Sequence, residues 1–188
     1  MRSQRFDDDV RALVRTAQER ARTLSHPGVG SEHLLYAVAY SPTPVGVVAR
    51  EHGLTPGGVA AQTDRLLARP HSVFDGVDAE ALATIGIDLQ AVREAVEASF
   101  GLGPAPSSRS RRPRVRRLPG HLAVTGRARS CLDAAVHEAD RSGAVQVAAH
   151  HFGAAVVAAD TGLVPPILAA LGVSAPTLRT AILDCACG

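Results

Sequence analysis

Residues 6–40 read FDDDVRALVRTAQERARTLSHPGVGSEHLLYAVAY, and residues 124–158 read VTGRARSCLDAAVHEADRSGAVQVAAHHFGAAVVA. Sliding the first stretch 118 positions onto the second, without a gap, pairs Arg11 with Arg129, Ala17 with Ala135, Ala21 with Ala139, Gly30 with Ala148 and His33 with His151. An internal duplication of this kind implies two helical units that stack and share a core.

Within the first copy, Val10, Leu13, Val14, Ala17, Ala21 and Leu24 recur at helical spacing. Asp7 to Asp9 supply an N-cap and negative charge where a helix dipole favours them. His26-Pro27-Gly28 breaks that helix. Ser31 is expected to cap a second one with Leu34, Leu35 and Val38 inward, which Ser41-Pro42-Thr43-Pro44 ends. A short helix follows over about Val45 to His52, and Thr55-Pro56 opens a fourth. The second copy is expected to form helices near Thr125–Arg141, Ala149–Asp160, Pro165–Leu171 and Ala175–Cys185. Aromatics are only 3% and no segment alternates with the strand period for long, so the fold class is all-α.

Between the copies the composition changes. After a loop over 68–77, Asp78 to Ile85 reads as a short helix and Asp88 caps another, so residues 68–100 form a helical insert closing the first repeat. Residues 101–119 are Pro, Gly, Ser and Arg with almost nothing to bury, which defines a linker between a first repeat at 1–67 and a second, degenerate one at 120–188. All 20 basic residues are Arg, and six of them (Arg109, Arg111, Arg112, Arg114, Arg116 and Arg117) fall in that linker. Removing those six from the formal +2 leaves −4 for the rest, so the basic balance belongs to one segment.

The motifs of the first copy carry a resemblance. Phe6-Asp7, Ala17-Gln18-Glu19-Arg20-Ala21, Leu24-Ser25-His26 and above all Gly30-Ser31-Glu32-His33-Leu34-Leu35 resemble the N-terminal repeat domain of Clp-type AAA+ unfoldases, in which the last motif reads Gly-Thr-Glu-His-Leu-Leu. The second copy keeps Thr125-Gly126-Arg127-Ala128 but has Ala149-His150-His151-Phe152 at the motif. The resemblance implies two four-helix repeats and a module that binds substrates and adaptor proteins. It also implies binding residues at Phe6, Asp7, Glu32, His33 and Leu34, with Asp7 and Glu32 forming an acidic spot beside an apolar groove. In some relatives the Glu receives the guanidinium of phosphorylated arginine, with a hydroxyl residue after the first Phe holding the phosphate. Here that position is Asp7, which suits unmodified arginine or a basic peptide better.

Several chemistries are excluded or disfavoured. The phosphate cradle G-x-x-x-x-G-K-[ST] needs a Lys, and the chain has none, so no ATPase motor is present in it. Neither H-E-x-x-H nor G-x-S-x-G occurs, so no catalytic residue is assigned; Glu32 suits the helix dipole, and His33 is expected to pack between repeats. No cofactor or metal is expected. Cys131 reads as a small buried hydrophobe, while Cys185 and Cys187 lack a second ligand pair at zinc-finger spacing. No apolar run reaches the ~20 residues of a membrane span and no leader is visible, so a cytoplasmic protein is the expectation.

The reading is therefore a non-enzymatic protein- or peptide-binding accessory of a Clp chaperone–protease system, whether adaptor, competitor or decoy, with a Clp unfoldase, adaptor or substrate as partner. One alternative is a sequestering protein for natural-product peptides directed at Clp unfoldases. The other is a nucleic-acid-binding regulator acting through the Arg run. That run has no interleaved aromatics for base stacking, which favours a solvated linker over a nucleic-acid site.

Overall fold

Asp7 starts the first long helix: its carboxylate accepts the Val10 N–H at 2.8 Å, and α1 runs Asp8–Thr23 with Asp8 and Asp9 in its first turn and Arg20 and Arg22 in its last. The computed structural model describes residues 5–68 and 122–185. Val10, Leu13, Ala17 and Ala21 form the buried stripe of α1. Ser25 takes the left-handed conformation (φ 55°), and the His26 N–H returns to the Ala21 carbonyl at 2.9 Å.

A two-residue strand, β1 (Gly28–Val29), leads into α2 (Ser31–Tyr40). Ser31 does not cap this helix. Gly30 is the N-cap, and the capping acceptor is the His33 ring, whose Nδ1 receives the Gly30 N–H at 2.8 Å. A histidine three residues into the helix thus does what Glu or Gln does in a capping box. α3 (Pro44–Glu51) and α4 (Pro56–Ala68) both begin at a proline, whose missing N–H costs nothing at a helix start.

The second copy repeats these devices. After β2 (Ala123–Val124) come α5 (Gly126–Arg141), α6 (Ala149–Val157), α7 (Val164–Ala170) and α8 (Ala175–Asp184). Thr125 caps α5 through Ala128 N–H at 3.3 Å, as Asp7 caps α1. Gly143 (φ 72°) stands where Ser25 does, and His151 Nδ1 accepts the Ala148 N–H at 3.2 Å, as His33 does for Gly30. Beyond α6 one extra residue enters. Gly53 (φ 88°) then answers to Gly172 (φ 68°), and the Leu54 and Val173 N–H groups bond back to Ala49 and Leu168, each at 2.9 Å.

The repeats join by a reciprocal seam. Val29 pairs in parallel with Val124, and Phe6 forms a parallel bridge with Val147. Adding 118 to 6 and 29 gives 124 and 147, so each pairing is the image of the other. The hydrogen bonds match: Thr125 N–H to Val29 O at 3.0 Å and Asp7 N–H to Val147 O at 3.1 Å. Each copy's entry to its first helix is thus clipped to the other copy's entry to its second. These clips apart, the described fold is all-α.

The core lies around α2 and α6, which touch each other and are apolar on nearly every side. Leu34, Leu35, Val38, Phe152 and Val156 are all within 1% of full burial. A Cβ at Gly153 would stand 2.8 Å from Val45 Cγ1, so α6 approaches α3 closely there. Cys131 fills the place of Leu13 at 4% exposure, and burial raises its thiol pKa. Residues Met1–Arg69 and Pro119–Gly188 form one compact unit. The helices expected over 78–85 and from Asp88, the linker 101–119 and Cys187 lie outside the described residues. Among the described residues no single helix is long and apolar enough to cross a membrane.

Candidate functional site

Glu32 occupies the first turn of α2, and its carboxylate folds back over the Cα of Gly30, into space that any side chain at position 30 would claim. The side chain is only 15% exposed, and its polar neighbour is Nδ1 of His33 at 3.2 Å. That nitrogen already accepts the Gly30 N–H. The helix dipole favours the charge, yet no described side chain donates a hydrogen bond to it. A largely covered carboxylate without a donor is costly unless a ligand supplies one.

The acceptor role of Nδ1 also fixes the His33 tautomer: its proton sits on Nε2, which lies 2.8 Å from Nδ1 of His26, the rings meeting edge to face. His33 is 1% exposed, and its pKa falls to about 4, first through burial and then through the neighbouring His26 and Arg20. Ligand atoms of His26, Glu32 and His33 lie within 4.8 Å of one another. They do not suit a metal ion, because coordination through Nε2 would require the ring to shed its proton or give up the helix cap, beside the Arg20 cation.

A shallow cleft opens here, between α1, α2 and α4, enclosing only about 10 Å³, room for one water molecule, and lined by Arg20, Leu24, Glu32, His33, Tyr36, Ala60 and Thr63. Small-molecule sites usually run to several hundred cubic ångströms, so this cleft offers a partner a surface contact and no enclosed pocket. The Arg20 guanidinium lies 4.6 Å from the centroid of the Tyr36 ring.

The five residues expected to bind do not converge. Glu32 and His33 both line the cleft, whereas Leu34 is 1% exposed and belongs to the core. Phe6 is held in the Val147 bridge. Asp7 does not join Glu32 in an acidic spot: its charge acts on His150 and His151, at the start of α6. The reciprocal seam is the cause, since it carries each first-helix cap to the other repeat. The cap residue on the Glu32 side is Thr125, whose Cγ2 stands 3.8 Å from where a Cβ of Gly28 would be.

The α6 start is chemically different. His150 takes the place of Glu32 and lies against His151, the ring centroids 3.9 Å apart, with both pKa values lowered first by burial. Ser142 Oγ is 2.8 Å from His151 Nε2, which has the outline of a nucleophile and its base. The polarity is reversed. His151 Nδ1 accepts the Ala148 N–H, so Nε2 donates to Ser142, whose own proton goes to the Ala139 carbonyl at 2.9 Å. His26, Arg20, Tyr36 and Thr63 are not among the binding residues expected from the sequence. Tyr36 is legible, four residues from Glu32 on one helix, but Arg20 and Thr63 reach the cleft from α1 and α4.

No family model matches the chain. Solved structures do. The N-terminal domain of the caseinolytic protease associated chaperone ClpD from Arabidopsis thaliana is similar at a TM-score of 0.59 and 18% identity, covering 100% of this chain and 98% of that one. The Hsp104 N-terminal domain from Candida albicans gives 0.56 at 14% identity, covering 95% and 89%. A protein of a malarial protein secretion system gives 0.56 at 11% identity, covering 96% and 93%. At these identities the likeness is one of fold.

Proposed function

We propose that this chain, built on the fold of Clp N-terminal domains, is a non-catalytic module that binds a protein or peptide partner and holds one of its arginine side chains on Glu32. The observation that carries the reading is the Glu32 carboxylate: 15% exposed, on a residue that lines a shallow cleft, and without a donor from the described residues. A guanidinium supplies two parallel N–H donors and a positive charge, matching what this carboxylate lacks. The His33 and His151 rings serve as helix caps, which supports binding over catalysis.

In a Clp chaperone–protease system such a module acts as an adaptor, or as a competitor for what the unfoldase's own domain receives, and it works in the cytoplasm. Thr125 restores a hydroxyl on the Glu32 side of the seam. The objection to phosphorylated arginine raised by Asp7 therefore applies at His150 and not at Glu32. Affinity capture from native cytoplasm tests the reading, with wild-type and Glu32→Gln baits compared. A Clp component or one of its substrates retained by the wild type and lost from the variant is expected; the same proteins on both baits would contradict the assignment.

A further inference from the structure

Glu32, Tyr36 and Tyr40 follow one another at intervals of four along α2, so they form one stripe on its surface. Arg20 covers one face of Tyr36, and the Tyr36 ring stacks on Tyr40 at a centroid distance of 5.8 Å and an interplanar angle of 12°. Tyr40 ends the ladder and is 59% exposed. The stripe therefore begins with a carboxylate that lacks a donor among the described residues and ends with an exposed aromatic ring. Arg20 on Tyr36 demonstrates that such a face takes a guanidinium.

We infer that the stripe docks an extended peptide bearing two arginines four residues apart, one on Glu32 and the other on Tyr40. The inference rests on the arginine reading of Glu32 and adds the second contact and the spacing. Eight residues of helix separate the two ends by about 12 Å. An extended chain rises about 3.3 Å per residue and turns alternate side chains to opposite faces. Arginines four apart in it stand on one face about 13 Å from each other, which matches the stripe. A spacing of two reaches only about 7 Å, and a spacing of three sends the side chains to opposite faces. Four apart in a helix they would be about 6 Å apart, again too close. Because Arg20 already occupies Tyr36, the second cation is directed past it to Tyr40. An acidic peptide would meet the Glu32 charge, and an apolar one would leave that carboxylate without its donor.

The test is fluorescence polarisation with labelled Gly/Ser peptides carrying one arginine, or two at spacings of two, three and four. Spacing four is expected to bind roughly fivefold tighter than the others, a size typical of one exposed cation–π contact. Tyr40→Ala is expected to erase that preference and leave the single-arginine affinity unchanged, while Tyr40→Phe keeps both; circular dichroism confirms folding. Equal affinities for all two-arginine peptides, or a preference that survives Tyr40→Ala, would overturn the inference. If single-arginine binding still depends on Glu32 in that case, the reading of Glu32 stands without it. If no arginine peptide binds the wild type, both fall.

Discussion

The Glu32 carboxylate lies where a side chain at Gly30 would begin, so the glycine is what allows the acid to fold over the helix start. Gly30 has φ −95° and ψ 173°, a conformation that alanine adopts freely. Gly30→Ala should consequently cost little stability, about 1 kcal/mol or less by urea denaturation. The flexible carboxylate must yield, and arginine-peptide affinity is expected to fall about tenfold, close to the effect of Glu32→Ala. Unchanged binding in Gly30→Ala would show that the folded-back position of the acid is irrelevant.

The second copy provides a control. Ala148 and His150 stand where Gly30 and Glu32 do, so no carboxylate can settle over that helix start. His150→Ala should leave arginine-peptide affinity within about twofold of wild type, the change expected of an uninvolved surface group. A loss as large as that of Glu32→Ala, in a protein folded by circular dichroism, would move the binding surface to the α6 side.

Acid should weaken the fold through His33. The folded ring takes its proton only near pH 4, against 6.5 when unfolded, so between these values the unfolded chain holds more protons. Stability from this ring is complete above about pH 6.5 and is lost as pH falls toward 4, by roughly 2–3 kcal/mol. His150 and His151, also lowered, act in the same sense. His33→Gln keeps a capping acceptor that does not titrate. The difference in urea midpoint between pH 4.5 and 7 should thus shrink in the variant; an identical difference would contradict the buried neutral ring.

Among the described residues Phe152 is the largest fully buried side chain, and it sits in α6 where Leu34 stands in α2. Phe152→Ala is expected to cost about 3–5 kcal/mol in chemical denaturation, as large-to-small core changes do. A loss under about 1 kcal/mol would mean that the α2–α6 core is not the shared centre of the two repeats.

Most of the helices were legible because their apolar periodicity and their breakers are local. The duplication was legible because the 118-residue offset preserves Ala17, Ala21 and His33 in Ala135, Ala139 and His151. The cap of α2 was misread because Ser31 has the composition of an N-cap, while a histidine at the third helical position is not part of the usual capping signature. The placement of Asp7 depends on the Phe6–Val147 bridge, one backbone pairing across 141 positions with no local signal. Glu32 was found from its motif. The absence of a donor to it among the described residues follows from three-dimensional packing, as does the neighbourhood of Arg20 and Thr63.

The central claim is that Glu32 receives a guanidinium, and citrulline, which has nearly the same shape without the charge, isolates that property. Isothermal titration of wild type and Glu32→Gln with one peptide in its arginine and citrulline forms gives the answer. The arginine form should bind wild type at least tenfold tighter than the citrulline form, as a shielded charge-assisted pair worth about 1.5–3 kcal/mol requires, and Glu32→Gln should bind both equally weakly. Equal binding of the two peptides by the wild type, or a preference for arginine that persists in Glu32→Gln, would contradict the account.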